Sequence, residues 1–212
     1  MARAFATNQQ ISGSYTVHKN QQKLTMSCWI RRPTSGTIQN VGFTDVVNNG
    51  FVITHYSDNV LYPVVANNSN SYAFVAQNIT GWNHFALVFD GSLTGNSNRM
   101  KLYRNGSLLT LGFNLTIPST TSNNAGINNL RFGRSETGNY WSSGDFAEYG
   151  LWQEALSGAD VAAIAKGMTP DKVRPDKLVS YIPLVRETQD VMSGTALTDT
   201  STTVSNHPRV YA

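Results

Sequence analysis

One cysteine, Cys28, stands in 212 residues. That excludes an internal disulfide framework and a cysteine-built metal site. Charge is scarce as well, at 14% Asp, Glu, Lys and Arg against about 25% in an average soluble domain. The densest basic groups are Arg31-Arg32 and the set Lys166, Lys172, Arg174, Lys177, and acidic residues interrupt the second. Nucleic-acid binders gather Lys and Arg on one face with aromatic platforms between them, so the net +3 implies no nucleic-acid partner. No apolar run approaches the roughly 20 residues that cross a bilayer, and no membrane partner is expected. The first ten residues, MARAFATNQQ, lack the apolar h-region of a secretory signal. Folding in a reducing cytosol is the expectation.

What replaces charge is Asn, Ser, Thr and Gly, the residues of turns and uncharged hydrogen-bonding surfaces. Aromatics at 10% are ample for a core. Most of the chain alternates at period two, the signature of half-buried strands. Leu24–Ile30, Phe51–Tyr56, Tyr72–Ala76, Trp82–Phe89, Asn129–Gly133, Asp145–Trp152 and Leu178–Ile182 all read this way. Residues 101–110 read as a hairpin, because Asn105-Gly106 supplies the two positive-φ positions of a type I′ turn. Cys28 shares a face with Leu24, Met26 and Ile30, which predicts a buried, inert thiol. One segment departs from period two. Ser157 is a good N-cap, Asp160 a short capping-box acid, and Gly167 a C-terminal stop, predicting one helix over 158–166.

These elements come in a recognisable order. Leu24–Ile30 ending in Trp-Ile precedes Trp82–Gly91, then Lys101–Gly106, Leu130–Arg134, and Gly144–Trp152 running into Ala155-Leu-Ser157. Over roughly residues 10–185 the chain resembles the laminin-G-like, concanavalin A-like jelly rolls. The resemblance implies an all-β, two-sheet antiparallel sandwich with one short helix. The expected organisation is a flexible arm over 1–10, the jelly roll over 11–185 and an extended segment over 186–212.

The resemblance also raises glycosidase chemistry, which needs two carboxylates about 5–5.5 Å apart for retention. The related glucanases carry a Glu, an Asp and a second Glu along one strand. Here Asp145 and Glu148 match the last two, but Ser143 stands where the nucleophile belongs. No catalytic residue is expected; Asp145 is read as ending a loop, and Glu148 as facing solvent or a basic neighbour. Of the four histidines, His18, His55, His84 and His207, none has metal-ligand spacing. His55 and Tyr56 point to opposite faces by strand alternation, and His84 is expected to make a structural hydrogen bond. No cofactor is implied. Calcium stays open: Asp45 with Asn48-Asn49, Asp58 with Asn59, and Asp90 with Asn96 and Asn98 offer oxygens, but no recognisable loop motif.

For a glycan, exposed aromatics beside amides and carboxylates are the expected equipment. The first candidate is the loop Asn139, Tyr140, Trp141; the second is Tyr56 with Asp58. The tail, Arg174–Leu184 through Asn206–Val210, is similar to an ending in tailed-phage structural proteins. That similarity implies a virion-surface location after folding in a host cytoplasm, with capsid or fibre proteins as partners and self-association open. Phe5, Val210 and Tyr211 are the expected attachment anchors. The leading expectation is thus a non-enzymatic virion structural protein, with a glycan-binding module for cell-surface carbohydrate as the alternative.

Overall fold

The computed structural model describes residues 1–44, 50–126, 128–134 and 141–207. The early strands are β1 (Ala2–Phe5), β2 (Gln10–Ser14), β3 (Lys23–Arg32), β4 (Gln39–Thr44), β5 (Gly50–His55), β6 (Val60–Ala66), β7 (Ala73–Ala76) and β8 (Gly81–Asp90). After a one-turn helix α1 (Asn96–Arg99) come β9 (Met100–Arg104), β10 (Ser107–Leu108), β11 (Gly112–Phe113), β12 (Asn129–Phe132) and β13 (Gly144–Trp152). Helix α2 (Gly158–Ala165) precedes β14 (Leu178–Ile182), β15 (Thr198–Thr200) and β16 (Thr203–Ser205).

These strands form two antiparallel sheets packed face to face. Sheet I runs β10-β9-β8-β3-β13-β1-β16, with β14 also on β13; sheet II runs β11-β7-β6-β5-β4-β12-β2-β15. Period-two side chains fill the space between them. Leu24, Met26, Cys28 and Ile30 of β3 and Phe85, Leu87 and Phe89 of β8 meet Val41, Phe43, Phe51, Ile53, Leu61, Val65, Leu130 and Phe132 of sheet II. Cys28 is fully buried, and burial pushes its thiol pKa far up. The Asn105-Gly106 turn has φ of 49° and 81°, the two positive values a type I′ hairpin needs. The helix is capped as read: Ser157 Oγ accepts from the Asp160 amide, and Asp160 Oδ2 accepts from the Ser157 amide. Val161 and Ile164 then seal α2 onto Ala86, Val88, Tyr103 and Trp152 on the outer face of sheet I.

The termini differ from the expectation of mobile ends. β1 is an interior strand of sheet I, paired with β13 on one side and β16 on the other. Phe5, expected as an attachment anchor, is 5% exposed and meets Phe146 edge-on at 5.0 Å. Its ring also lies over Gly133, where a Cβ would come within 2.4 Å. One buried aromatic and two ladders order a segment whose sequence shows little periodicity. Likewise β15 pairs with β2 and Leu197 is buried. Val210 and Tyr211 lie outside the described residues.

Strand β13 corrects the reading of both acids. Ala147 pairs with Trp29 and Gly150 with Ser27, so Glu148 and Tyr149 together face the single residue Cys28. This is a β-bulge. Glu148 takes φ 52°, and the extra residue shifts the alternation so that Tyr149 and Leu151 enter the core. Glu148 is not at the solvent surface: it is 5% exposed and accepts the Tyr181 hydroxyl at 2.6 Å. Asp145 does not end a loop. It lies within the strand, buried, and accepts from Arg31.

Candidate functional site

On the outer face of sheet II, β6 presents Tyr62 and Val64 while its alternate residues Leu61 and Val65 enter the core. Val64 bridges to Tyr72, just before β7. Tyr56 follows β5 at the same corner. Tyr56 and Tyr62 meet at 5.4 Å and 90°, Tyr62 and Tyr72 at 5.7 Å and 71°. The three half-buried rings make a T-shaped ladder, the arrangement the ring quadrupoles favour. Phe74, 42% exposed, continues the aromatic surface on β7.

Pro63 lies in the gap of the β6–β7 ladder, between the Leu61–Val75 and Val64–Tyr72 pairs. It has no N–H to donate, which is why the two strands separate there. Beyond the gap, Asn114 fixes Tyr72: its Oδ1 accepts the Tyr72 amide at 2.7 Å and its Nδ2 donates to Asn70 O at 2.6 Å.

The turn bearing Tyr56 and Asp58 is fixed from above and below. Asp58 Oδ1 accepts the Val60 amide and Oδ2 accepts the Tyr62 hydroxyl, both at 2.9 Å. Burial and this carboxylate raise the Tyr62 pKa. Beneath lies Arg32, 2% exposed. Its Nε donates to Thr37 O, Nη1 to Asn59 Oδ1 and Nη2 to Tyr56 O, at 2.8–2.9 Å. His55 lies 3.2 Å from the same guanidinium, and its Nε2 bonds Gln77 O at 2.8 Å. A carbonyl only accepts, so Nε2 carries the proton. Burial first, then Arg32, lowers the His55 pKa to about 4, and the ring is neutral at pH 7. His55 thus faces the sandwich interior while Tyr56 joins the outer ladder, as alternation requires.

The first sequence candidate sits elsewhere. Asn139 and Tyr140 lie outside the described residues. Trp141 bridges Arg134, whose guanidinium carbon lies 4.9 Å from its ring centroid. The adjoining Ser142 is buried, donating its amide to Gly133 O and accepting the Asn40 amide. Trp141 is therefore anchored at the end of β12 and β4. Asn40 and Thr54, bonded side chain to side chain at 2.8 Å and both buried, lie between that anchor and Tyr62. The structure joins Tyr56 and Asp58 with Tyr62 and Tyr72, which sequence reasoning missed, and leaves Trp141 apart. The missed signal was the short apolar run Val60-Leu-Tyr-Pro-Val-Val-Ala66, which has no period-two pattern and contains Pro63, a residue rare inside strands.

The outer face of sheet I holds a second aromatic group. Trp29 and Trp82 are half-buried, and the His207 ring meets them at 5.5 and 4.6 Å. His84 beneath Trp29 is fully buried; neither ring nitrogen has a hydrogen-bond partner among the described residues, contrary to expectation. Burial lowers its pKa to about 3.

The oxygens considered for calcium are engaged in part. Asp90 Oδ1 bonds Ser92 and its Oδ2 lies 3.7 Å from Lys23 Nζ, while Asn96 Oδ1 accepts the Ile117 amide. Asp45, Asn48 and Asn49 lie outside the described residues. Among those described, no three His, Cys, Asp or Glu side chains gather as metal ligands.

Similar folds are known. A candidate carbohydrate-binding protein from Bacteroides ovatus superposes with a TM-score of 0.73 at 18% identity, covering 95% of this chain. The chain spans 58% of that protein's length. A heptameric SAP-like pentraxin from Limulus polyphemus gives 0.56 at 22% identity, over 77% of this chain and 81% of its own. The CBM40 of a Ruminococcus gnavus sialidase, bound to α2,3-sialyllactose, gives 0.55 at 16%, over 78% and 97%. No curated protein sequence matches the chain. The profile of the concanavalin A-like lectin/glucanases superfamily matches residues 5–162, and with two antiparallel sheets in that arrangement the chain belongs to this family.

Proposed function

We propose that this domain binds carbohydrate without transforming it, through the tyrosine ladder on the outer face of sheet II. The observation that carries the reading is the set Tyr56, Tyr62 and Tyr72, half-exposed and rigidly spaced, with the carboxylate of Asp58 on the hydroxyl of the middle ring, Tyr62. Flat ring faces take the apolar face of a pyranose, and the carboxylate takes hydroxyl hydrogens. The candidate carbohydrate-binding protein from Bacteroides and the sialyllactose-bound module from Ruminococcus support this use of the fold. Against glycosidase chemistry, Asp145 is held by Arg31 and Glu148 by Tyr181.

The test is binding to a panel of immobilised oligosaccharides. The native chain should retain at least one, and Tyr62→Ala with Tyr72→Ala should weaken it about tenfold or more, with little loss of melting temperature. Equal binding by the double variant would remove the ladder from the site. Display on a virion, with capsid or fibre partners, is a separate proposal that rests on the tail sequence alone. Co-purification with intact particles tests it, and Phe5, buried in the core, is not its anchor.

A further inference from the structure

We infer that the tyrosine ladder selects uncharged sugar chains over carboxylated ones, and that Asp58 sets this choice. The inference rests on the carbohydrate-binding reading and adds the ligand class.

Asp58 is exposed beside the middle ring of the ladder, Tyr62. Its Oδ1 holds the Val60 amide and its Oδ2 the Tyr62 hydroxyl. A carboxylate has about four acceptor positions, so two remain for a ligand. The Tyr62 hydroxyl spends its proton on Asp58 and offers a ligand only lone pairs. Both groups therefore present acceptors side by side at the middle of the ladder. They match hydroxyl and N-acetyl N–H donors, and they repel a second carboxylate.

The buried charge of Arg32, which interacts with Asp58 across the turn, offsets this only in part, because Asp58 is exposed to a ligand and Arg32 is not. Arg32 approaches the same turn from inside the sandwich, and its Nε, Nη1 and Nη2 all bond the protein. Arg104 reaches the side chain of Gln77, whose amide bonds Asn59 O. Among the described residues neither forms an ion pair with Asp58. Amides complete the surroundings, with Asn59, Gln77 and Asn114 on the flanking turns. For a sugar carboxylate placed over Tyr62, repulsion at such a half-exposed contact costs about tenfold in affinity, or about 1.4 kcal/mol.

The experiment titrates the full chain with neutral oligosaccharides and with the carboxylated counterpart of each, such as lactose with 3′-sialyllactose and methyl-esterified with free oligogalacturonates. The expected result is that the neutral members bind and each carboxylated counterpart is about tenfold weaker. Asp58→Asn should narrow that gap to within about threefold. This variant keeps Oδ1 for the Val60 amide, so an unchanged melting temperature shows the turn intact. Equal or tighter binding of the carboxylated members, or a gap that Asp58→Asn leaves unchanged, overturns the selection. If Tyr62→Ala with Tyr72→Ala still weakens binding about tenfold or more in that case, the ladder reading stands and only the charge selection fails. If no member binds, or the tyrosine variant binds like the native chain, the carbohydrate reading fails and the selection with it.

Discussion

Replacing Arg32 by Met keeps a long apolar stem in the end of the sandwich and removes every donor. Three acceptors then lose a charged partner: Thr37 O, Asn59 Oδ1 and Tyr56 O. Charge-assisted hydrogen bonds contribute about 1.5–3 kcal/mol each, but these are not additive. Thr37 and Asn59 are only half-buried, so water rehydrates part of what is lost. Relief of the guanidinium's desolvation, which lowers its pKa in the fold, offsets some more. A net cost of about 4 kcal/mol remains, which for a chain of this size is a fall in melting temperature of about 10 °C. Differential scanning calorimetry at pH 7 reads that number. Because Arg32 holds the turn that carries Tyr56 and Asp58, the carbohydrate-binding proposal requires that glycan affinity, measured well below the new melting temperature, fall about tenfold. A melting temperature within about 2 °C of native would refute the claim that Arg32 organises this end. A large thermal loss with unchanged affinity would instead refute the link from Arg32 through the turn to the ligand.

Other expectations follow from the same structure. His84 titrates near 3 in the fold and near 6.5 when unfolded, so only the unfolded chain takes up its proton between those values. Its stabilisation is full above pH 6.5 and is lost as pH falls toward 3, costing about 2 kcal/mol between pH 7 and 5. His55 contributes in the same direction. Urea midpoints against pH measure the slope, and His84→Phe should reduce it; an unchanged slope would show that His84 is protonated in the fold. Phe5→Ala removes a buried ring from an interior strand and should cost about 3 kcal/mol in chemical denaturation; a cost under 1 kcal/mol would return the N-terminus to the status of a mobile arm. Gly42 has φ 140°, and a Cβ there would lie 2.3 Å from Phe51 O, so Gly42→Ala should destabilise by more than about 2 kcal/mol. A soluble alanine variant with native melting would contradict the β4–β5 geometry. Glu148→Gln keeps an acceptor for Tyr181 and should leave glycan binding unchanged, as a structural role for this side chain requires.

How much was legible in the sequence depended on how local the cause was. The strands β3 and β8 each carry enough alternating apolar residues to declare both their period and their core face. Ser157 and Asp160 fix the helix start through bonds three residues apart, and Asn105-Gly106 fixes its hairpin by backbone preference alone. The family resemblance followed from the order of these locally determined pieces.

Tertiary structure decided the rest. Gln10–Ser14 and Thr203–Ser205 hold too few apolar residues to show a period, and they are strands because neighbouring strands take their backbone hydrogen bonds. For β6, the run Val60–Ala66 has no period-two pattern, and only the pairing partner shows that the missing N–H of Pro63 falls in a gap of the ladder. The bulge at Glu148 changes the phase of β13 by one residue, so a count of two from Phe146 puts Glu148 and Gly150 in the core in place of Tyr149 and Leu151. For the same reason the ladder was half seen. Tyr56 and Asp58 are neighbours in sequence, but Tyr62 and Tyr72 join them only when β5, β6 and the start of β7 lie side by side. Alternation assigns each side chain to a face. Which residues of different strands share a site is set by register, and register is fixed by packing across the whole sandwich.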